Sequence, residues 1–470
     1  MTTQAVDAPR PRRLTLGLDR LWPVWHRFAL AAILALAAFL DLYRLGRNGY
    51  ANAYYSAAVR SMLESWHNFF FVSFDPGGLV SVDKPPLALW VEAASAKLFG
   101  YSGFSILLPE ALAGVAAVGL LYLVVARPFG RVAGLVAALA LAVSPVSVAV
   151  NRDNNPDALF ALLLVASVYV GMRAVESGRL ATLLLAAVLV GLAFNTKMLA
   201  ALLVVPGLTL AYLFFAKLSW RRRLVQLAVA GAVLVVVSGA WITAVELTPA
   251  ADRPYVGSTD DNSALSLALG YNGLGRVTGQ EGGTSFGGGG GLGGAFSGTP
   301  GVLRLLNDAL GDQGGWLLVL ALVGGLSATL AAIRLRSRTR LSALVAIGGW
   351  FAASAAIFSL SSGIIHTYYL SAMAPATSAL VGIGVVSLAA DARSRTRMVL
   401  PIAALVGSAW LELDLLRRSD YLPWLQGLVV AGAVVGVAGV VVAVTRPDDP
   451  RRARLGVTAI AFATSTLLAA

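Results

Sequence analysis

About 13 apolar stretches near the ~20 residues that cross a bilayer run through this chain, and every second link between them is basic. They lie roughly at 25–43, 104–126, 131–150, 157–175, 180–196, 198–216, 224–247, 314–333, 341–362, 367–389, 398–416, 422–444 and 455–470. The last is short and runs to the final residue, which a further external domain beyond it would explain. With 57% hydrophobic and 13% charged residues, the chain cannot close around a single soluble core. The fold class is therefore all-α, a polytopic transmembrane helical bundle of about 12–13 spans.

The basic links carry Arg127 and Arg131, Arg173 and Arg179, Arg221 to Arg223, Arg334 to Arg340, Arg393 to Arg397 and Arg446 to Arg454. By the positive-inside rule they face the cytoplasm, together with an N-terminal segment, 1–24, holding Arg10, Arg12, Arg13 and Arg20. The first span follows that segment without a small-residue cleavage site and reads as a retained signal-anchor. Inner segments then hold 24 Lys/Arg against 6 Asp/Glu, outer segments 12 against 18, and together they give the net +12. The basic surplus thus reports topology and anionic lipid, with no nucleic acid as partner. Only 4 of 36 basic residues are Lys, the bias of a GC-rich bacterial genome, and the absence of Cys excludes disulfides and thiolate metal sites.

Two external loops are long. Within 44–103, Tyr55, Val59, Met62, Leu63 and Trp66 recur at helical spacing, as do Leu87, Trp90, Val91, Ala94 and Leu98. Both sets predict amphipathic helices along the outer membrane surface. The loop 248–313 holds 14 glycines between Gly273 and Gly301, including five in a row at 287–291. So permissive a backbone predicts a flexible loop, a lid over an acceptor being the sharper alternative. The remaining divisions are 25–216, a transmembrane half bearing the first loop; 217–247, one span; and 314–470, the C-terminal transmembrane half. No repeat or inverted half is visible, which disfavours the common transporter folds.

The residues capable of chemistry fall on the outer side. Asp83-Lys84-Pro85-Pro86-Leu87 starts a helix, and a lysine at a helix N-terminus suits an anion, or else pairs with lipid headgroups. Asn151-Arg152-Asp153-Asn154-Asn155-Pro156-Asp157 is a minimal turn with more polar groups than a cap requires. Asn155 is placed as its N-cap and Asp157 in the first helical turn. Asn195-Thr196-Lys197 forms another such turn, with Lys197 facing the same cavity or snorkelling. His366, with Tyr368 and Tyr369, begins a span, and Asp41 ends the first one.

Asp83-Lys84-Pro85-Pro86-Leu87-Ala88-Leu89-Trp90 after a tyrosine-rich surface helix resembles the first external loop of GT-C glycosyltransferases, and Asp157-Ala158-Leu159 resembles their later polar turn. Within that class the chain is similar to the family-39-type group of protein O-mannosyltransferases and lipid A aminoarabinose transferases. Asn52-Ala53-Tyr54-Tyr55 with Arg60-Ser61-Met62 is the pattern of bacterial mannosyltransferase-like proteins. The likeness covers roughly 40–215; beyond it, His366-Thr367-Tyr368-Tyr369 with Pro375 matches loosely. One departure is clear: the family's first-loop acidic pair aligns with Ala51-Asn52.

The resemblance implies transfer of mannose or a similar hexose or pentose from a polyprenyl-phosphate carrier to an acceptor hydroxyl outside a bacterial plasma membrane, in cell-envelope synthesis. Sidedness agrees, because nucleotide sugars belong to the cytoplasm and an external enzyme needs a lipid-linked donor. Asp157, together with Asp153, is expected as the base, or Asp41 in their place. Lys84, Arg152, Lys197 and His366 are expected on the donor phosphate, and Asn52, Tyr55, Asn155 and Tyr369 on substrate. No cofactor is required; a divalent cation on Asp83 or Asp153 is compatible with their oxygen ligands. The acceptor is a protein, a polysaccharide or a lipid. The reading from another class is a flippase that binds the same lipid-linked sugar without cleaving it.

Overall fold

The computed structural model describes residues 24–279, 297–419 and 422–445. In chain order its main helices are α1 (Trp25–Leu42), α2 (Ala53–Met62), α3 (Trp66–Phe71), α4 (Leu87–Phe99), α5 (Gly103–Phe129), α6 (Arg131–Ala142), α7 (Pro145–Asn151) and α8 (Asp157–Ser177). There follow α9 (Leu180–Lys197), α10 (Val205–Phe215), α11 (Trp220–Leu247), α12 (Leu318–Arg334), α13 (Arg338–Leu360), α14 (Ala374–Asp391), α15 (Val399–Ser419) and α16 (Trp424–Thr445). Among the described residues, β structure is limited to isolated bridges, Ser73 with Ser81 and Val80 with Tyr255.

Ten described helical runs are long and apolar enough to cross a membrane, and α6 with α7, bent by 62°, makes eleven. Pro145 accounts for the bend, since it lacks an N–H and pushes Ser144 out of helical conformation. The run Leu180–Phe215, counted once, is two passes. α9 stops at Met198, whose φ is +47°, and a 3₁₀ turn over Met198–Val204 leads into α10. Leu208 then lies against Gly171 and Leu218 against Gly178, so α10 runs back beside α8. Twelve passes result, within the 12–13 expected; the stretch at 455–470 lies outside the described residues.

Lipid is as apolar as leucine, so helix association rests on close packing. Gly324 of α12 and Gly349 of α13 show this: a Cβ on either would sit 2.5 Å from the Cα of Gly384 and Gly207 respectively. Large apolar side chains such as Phe28, Val235 and Val236 instead point outward, 72%, 70% and 69% exposed, as residues facing hydrocarbon do. The chain is a multi-pass membrane protein.

Arginines gather at one end of the bundle. Arg127 pairs with Glu176 at 2.7 Å, Arg397 with Asp391 at 3.0 Å, and Arg340 donates to the Pro128 carbonyl at 3.3 Å. The first loop covers the opposite end. There α2 buries Tyr55, Val59 and Met62, but the helix expected to reach Trp66 breaks first. Ser65 accepts the Asn68 N–H at 3.0 Å and caps α3, leaving Trp66 84% exposed. In α4, Val91, Ala94 and Leu98 face out, whereas Glu92 and Ser95 are buried. The two periodic patterns therefore point in opposite senses, one into the protein and one away from it.

The loop 248–313 is more structured than its glycines suggest. Val256, Ala264, Leu267 and Ala268 are buried with Tyr55 and Trp241, and a helical segment with a π-type turn spans 264–278. Apolar side chains ahead of the glycines supply the burial that orders it. The run 287–291 lies outside the described residues.

Candidate functional site

At the end opposite the arginines, two lysine–carboxylate pairs come together. Pro85 and Pro86 lead into α4 as expected, with the Trp90 N–H donating to the Pro86 carbonyl at 2.8 Å. They leave Lys84 buried at the helix start, its Nζ 2.6 Å from Asp83 Oδ2 and donating to Asn272 Oδ1 at 3.2 Å. Tyr55 Oη donates to Asp83 Oδ1 at 3.3 Å, and Asn272 Nδ2 to the Asp83 carbonyl at 2.7 Å. Burial alone would push the Asp83 carboxyl up, but the Lys84 ammonium and the Tyr55 hydroxyl hold it below its ordinary value. Burial likewise pulls Lys84 down, and Asp83 more than restores it. Both stay charged.

The second pair is formed by Lys197, at the end of α9, and Asp157, at the start of α8. Lys197 Nζ lies 2.5 Å from Asp157 Oδ1, to which Ser371 Oγ also donates at 2.9 Å. Asp157 Oδ2 is buried without a hydrogen-bond partner. Lys197 Nζ stands 4.2 Å from the Tyr369 ring centroid and 5.4 Å from that of Tyr368, so aromatic faces complete its surroundings.

His366 stacks on Tyr368 at 5.0 Å. Burial, and then Arg276, Lys197 and Lys84, push its pKa down to about 4, so it is neutral at pH 7. Burial also pushes the Tyr369 hydroxyl up, keeping it a donor.

Arg276, absent from the set expected from sequence, stands over Tyr271 with 4.3 Å to the ring centroid and donates to the Tyr271 carbonyl at 2.9 Å. With Asn272 it comes from the segment read as flexible. A cavity of about 260 Å³ opens beside these groups, with Lys197, Asn272, Arg276 and Tyr369 as its polar lining. Leu199, Leu203, Pro206, Phe358 and Ile365 make the rest apolar.

The remaining expected residues do other work. Arg152 donates to the carbonyls of Leu40 (2.7 Å), Asp41 (3.2 Å) and Tyr43 (3.0 Å), closing the end of α1. Asn52 and the 151–157 turn zip together. The Asn52 N–H donates to Asn154 Oδ1 at 2.8 Å and Asn52 Nδ2 to Asn155 Oδ1 at 3.2 Å, while Asn155 Nδ2 donates to Asp153 Oδ2 at 3.0 Å. Asn155 is thus not the N-cap of α8. Burial raises the Asp153 carboxyl, then the neighbouring backbone N–H groups lower it and Asp157 raises it. Asp41 accepts from Asn151 Nδ2 at 3.0 Å. Asp83, the residue considered for a metal, already gives its oxygens to Lys84 and Tyr55, and no three His, Cys, Asp or Glu side chains gather as a metal site among the described residues.

Sequence reasoning also passed over Glu92 and Glu110, both fully buried. A carboxylate inside an apolar span is a signal in itself, and Glu110 follows Pro109 within α5.

The sequence pattern described as dolichyl-phosphate-mannose-protein mannosyltransferase matches residues 83–242. Two proteins of Bacillus subtilis (strain 168) align over most of the chain. "Putative mannosyltransferase YkcB" is 34% identical, over 87% of this chain and 69% of its own length. "Putative mannosyltransferase YycA" is 36% identical, over 76% of this chain and 63% of its own length. Among solved structures, ArnT from Cupriavidus metallidurans bound to undecaprenyl phosphate superposes with a TM-score of 0.56, covering 95% of this chain and 77% of that one. At 18% identity that likeness shows the fold alone.

Proposed function

The chain belongs to the YkcB-like mannosyltransferase family of GT-C membrane glycosyltransferases, and from that premise we propose that it moves a sugar from a polyprenyl-phosphate carrier to an acceptor hydroxyl. One observation carries the reading. Lys84, Lys197 and Arg276 all act electrostatically on His366, while Lys197, Arg276 and Tyr369 line an apolar cavity and Asp157 is bound to Lys197. Gathered cations suit a phosphate, and an apolar cavity suits the isoprenoid attached to it. ArnT, which shares the fold, was solved with undecaprenyl phosphate. The arginine-rich opposite end supports reading this site as facing outward from a bacterial plasma membrane, by the positive-inside rule.

In the proposed reaction the donor phosphate draws Lys84 and Lys197 from their carboxylates, and Arg276 joins them. Asp157, released from Lys197, takes the proton of the acceptor hydroxyl through its unpartnered Oδ2. The acceptor oxygen bonds to the anomeric carbon as the bond from that carbon to the phosphate oxygen breaks. Polyprenyl phosphate leaves with the electron pair, and the anomeric configuration inverts. The cations stabilise the charge growing on phosphate. His366 contributes an imidazole N–H donor. The acceptor is a protein, polysaccharide or lipid hydroxyl of the cell envelope.

The test is proteoliposomes loaded with polyprenyl-phosphate hexose labelled in the sugar and supplied with cell-envelope material as the acceptor. Free polyprenyl phosphate should appear with the wild type and should not with Asp157→Asn or Lys84→Ala. Translocation of intact donor without cleavage, or undiminished turnover in both variants, would overturn the proposal.

A further inference from the structure

The start of α8 is built in an unusual way. Helix N-termini leave N–H groups without intrahelical partners, and a Ser, Thr, Asp or Asn just outside normally takes one. Here Pro156 holds that position and offers no side-chain cap. Asn155, one residue earlier, is committed to Asn52 and Asp153. The N–H of Leu159 is taken instead by Glu110 Oε2 at 2.8 Å, from the middle of α5. Glu110 is fully buried, and its Oε1 has no partner. Burying a carboxylate costs far more than placing an Asn or Ser as a local cap, so helix stability alone does not account for it.

What the cross-helix cap achieves is registry. Pro109 cannot donate back to the Ser105 carbonyl, and that carbonyl accepts Ser95 Oγ of α4 at 2.5 Å. α4 begins at Leu87, two prolines after Lys84, and is locked to α5 at this point; about one turn on, Glu110 locks α8, whose first residue is Asp157. One turn further, Gly114 leaves room for Asn151, since a Cβ there would sit 2.1 Å from Asn151 Nδ2. Glu92 of α4, fully buried with both oxygens unpartnered, lies close enough for Glu110 to act on its charge; burial above all pushes its carboxyl up. The helix that follows Lys84 and the helix that begins with Asp157 are thus both tied to α5 in the stretch that carries Glu110.

We infer that Glu110 is a positioning residue: by capping α8 from α5 it fixes Asp157 relative to the donor phosphate held at Lys84. This rests on the reading of Asp157 as the base. Misplacing a catalytic group by about 1 Å costs up to ~10²-fold in rate. Glu110→Ala is therefore expected to lower kcat by ~10–100-fold while leaving the KM for polyprenyl-phosphate sugar unchanged. Glu110→Gln keeps an oxygen for the Leu159 N–H and should recover most of kcat. In the Asp157→Asn background, Glu110→Ala should add no further loss, because both changes act through one group. Full kcat in Glu110→Ala, equal loss in the Ala and Gln variants, or multiplying losses in the double variant would each overturn the positioning role. If the Ala variant does not fold, Glu110→Gln decides alone, and a loss beyond tenfold would overturn the role. An active Asp157→Asn enzyme would overturn the underlying reading of Asp157, whereas an inactive one beside a silent Glu110→Ala overturns only the inference about Glu110.

Discussion

The two lysine–carboxylate pairs look alike and are built for different ends. Asp83 and Lys84 are neighbours in sequence, and both Asp83 oxygens are engaged, one by Lys84 and one by Tyr55. Asp157 and Lys197 lie 40 residues apart, and both Lys197 and Ser371 crowd onto a single oxygen, leaving Oδ2 idle and buried. A carboxylate with no spare oxygen holds a cation in place. One with a spare oxygen in a dry setting can accept a proton. On the proposed reading, the first pair is a phosphate clamp and the second a base guarded by its lysine.

The largest effect that could break this contrast is at Asp157. Asp157→Asn should lower kcat by ~10²–10⁴-fold, the contribution of a positioned base, with donor affinity preserved, as read from single-turnover transfer. Lys84→Ala should lower kcat/KM by ~10²-fold by removing charge stabilisation at the leaving phosphate. Steady-state kinetics with a varied donor would show it. Arg152→Ala sharpens the contrast from outside the site. It leaves three carbonyls at the end of α1 without their donor and should cost ~1–3 kcal/mol of stability, lowering the thermal midpoint while turnover per folded molecule stays constant.

The smallest expected effect is the pH response of His366. Its pKa is about 4 in the folded chain against an ordinary 6.5. Between those values the unfolded chain binds a proton that the folded one refuses, so stability rises with pH across the window and is lost as pH falls through it. Thermal unfolding from pH 7 to pH 4 should show that slope, and His366→Asn should flatten it.

How much of this was legible depended on sequence distance. The spans, the one-sided arginines, and the helix begun by Pro85 and Pro86 followed from local pattern, because periodicity and proline geometry are local. Lys84 beside Asp83 was visible for the same reason. The partnership of Asp157 with Lys197 and Ser371 was not, since nothing in either polar turn says which others it meets. Arg276 and Asn272 were hidden by glycines that follow them, although Leu267 and Ala268 just upstream offered apolar anchors. Asn155 suited an N-cap on local grounds and lost that role to Glu110 across the bundle. The first-loop acid that the family resemblance expects is absent, and Asn52 in its place joins the first loop to the 151–157 turn.

The division of labour between the pairs is tested most directly by measuring undecaprenyl phosphate binding and single-turnover sugar transfer on the same preparations of wild type, Asp157→Asn and Lys84→Ala. The account predicts that Asp157→Asn binds the lipid phosphate like the wild type but transfers sugar ~10²–10⁴-fold more slowly, and that Lys84→Ala loses binding. Equal loss of binding in both variants, or transfer at the wild-type rate in Asp157→Asn, would contradict it.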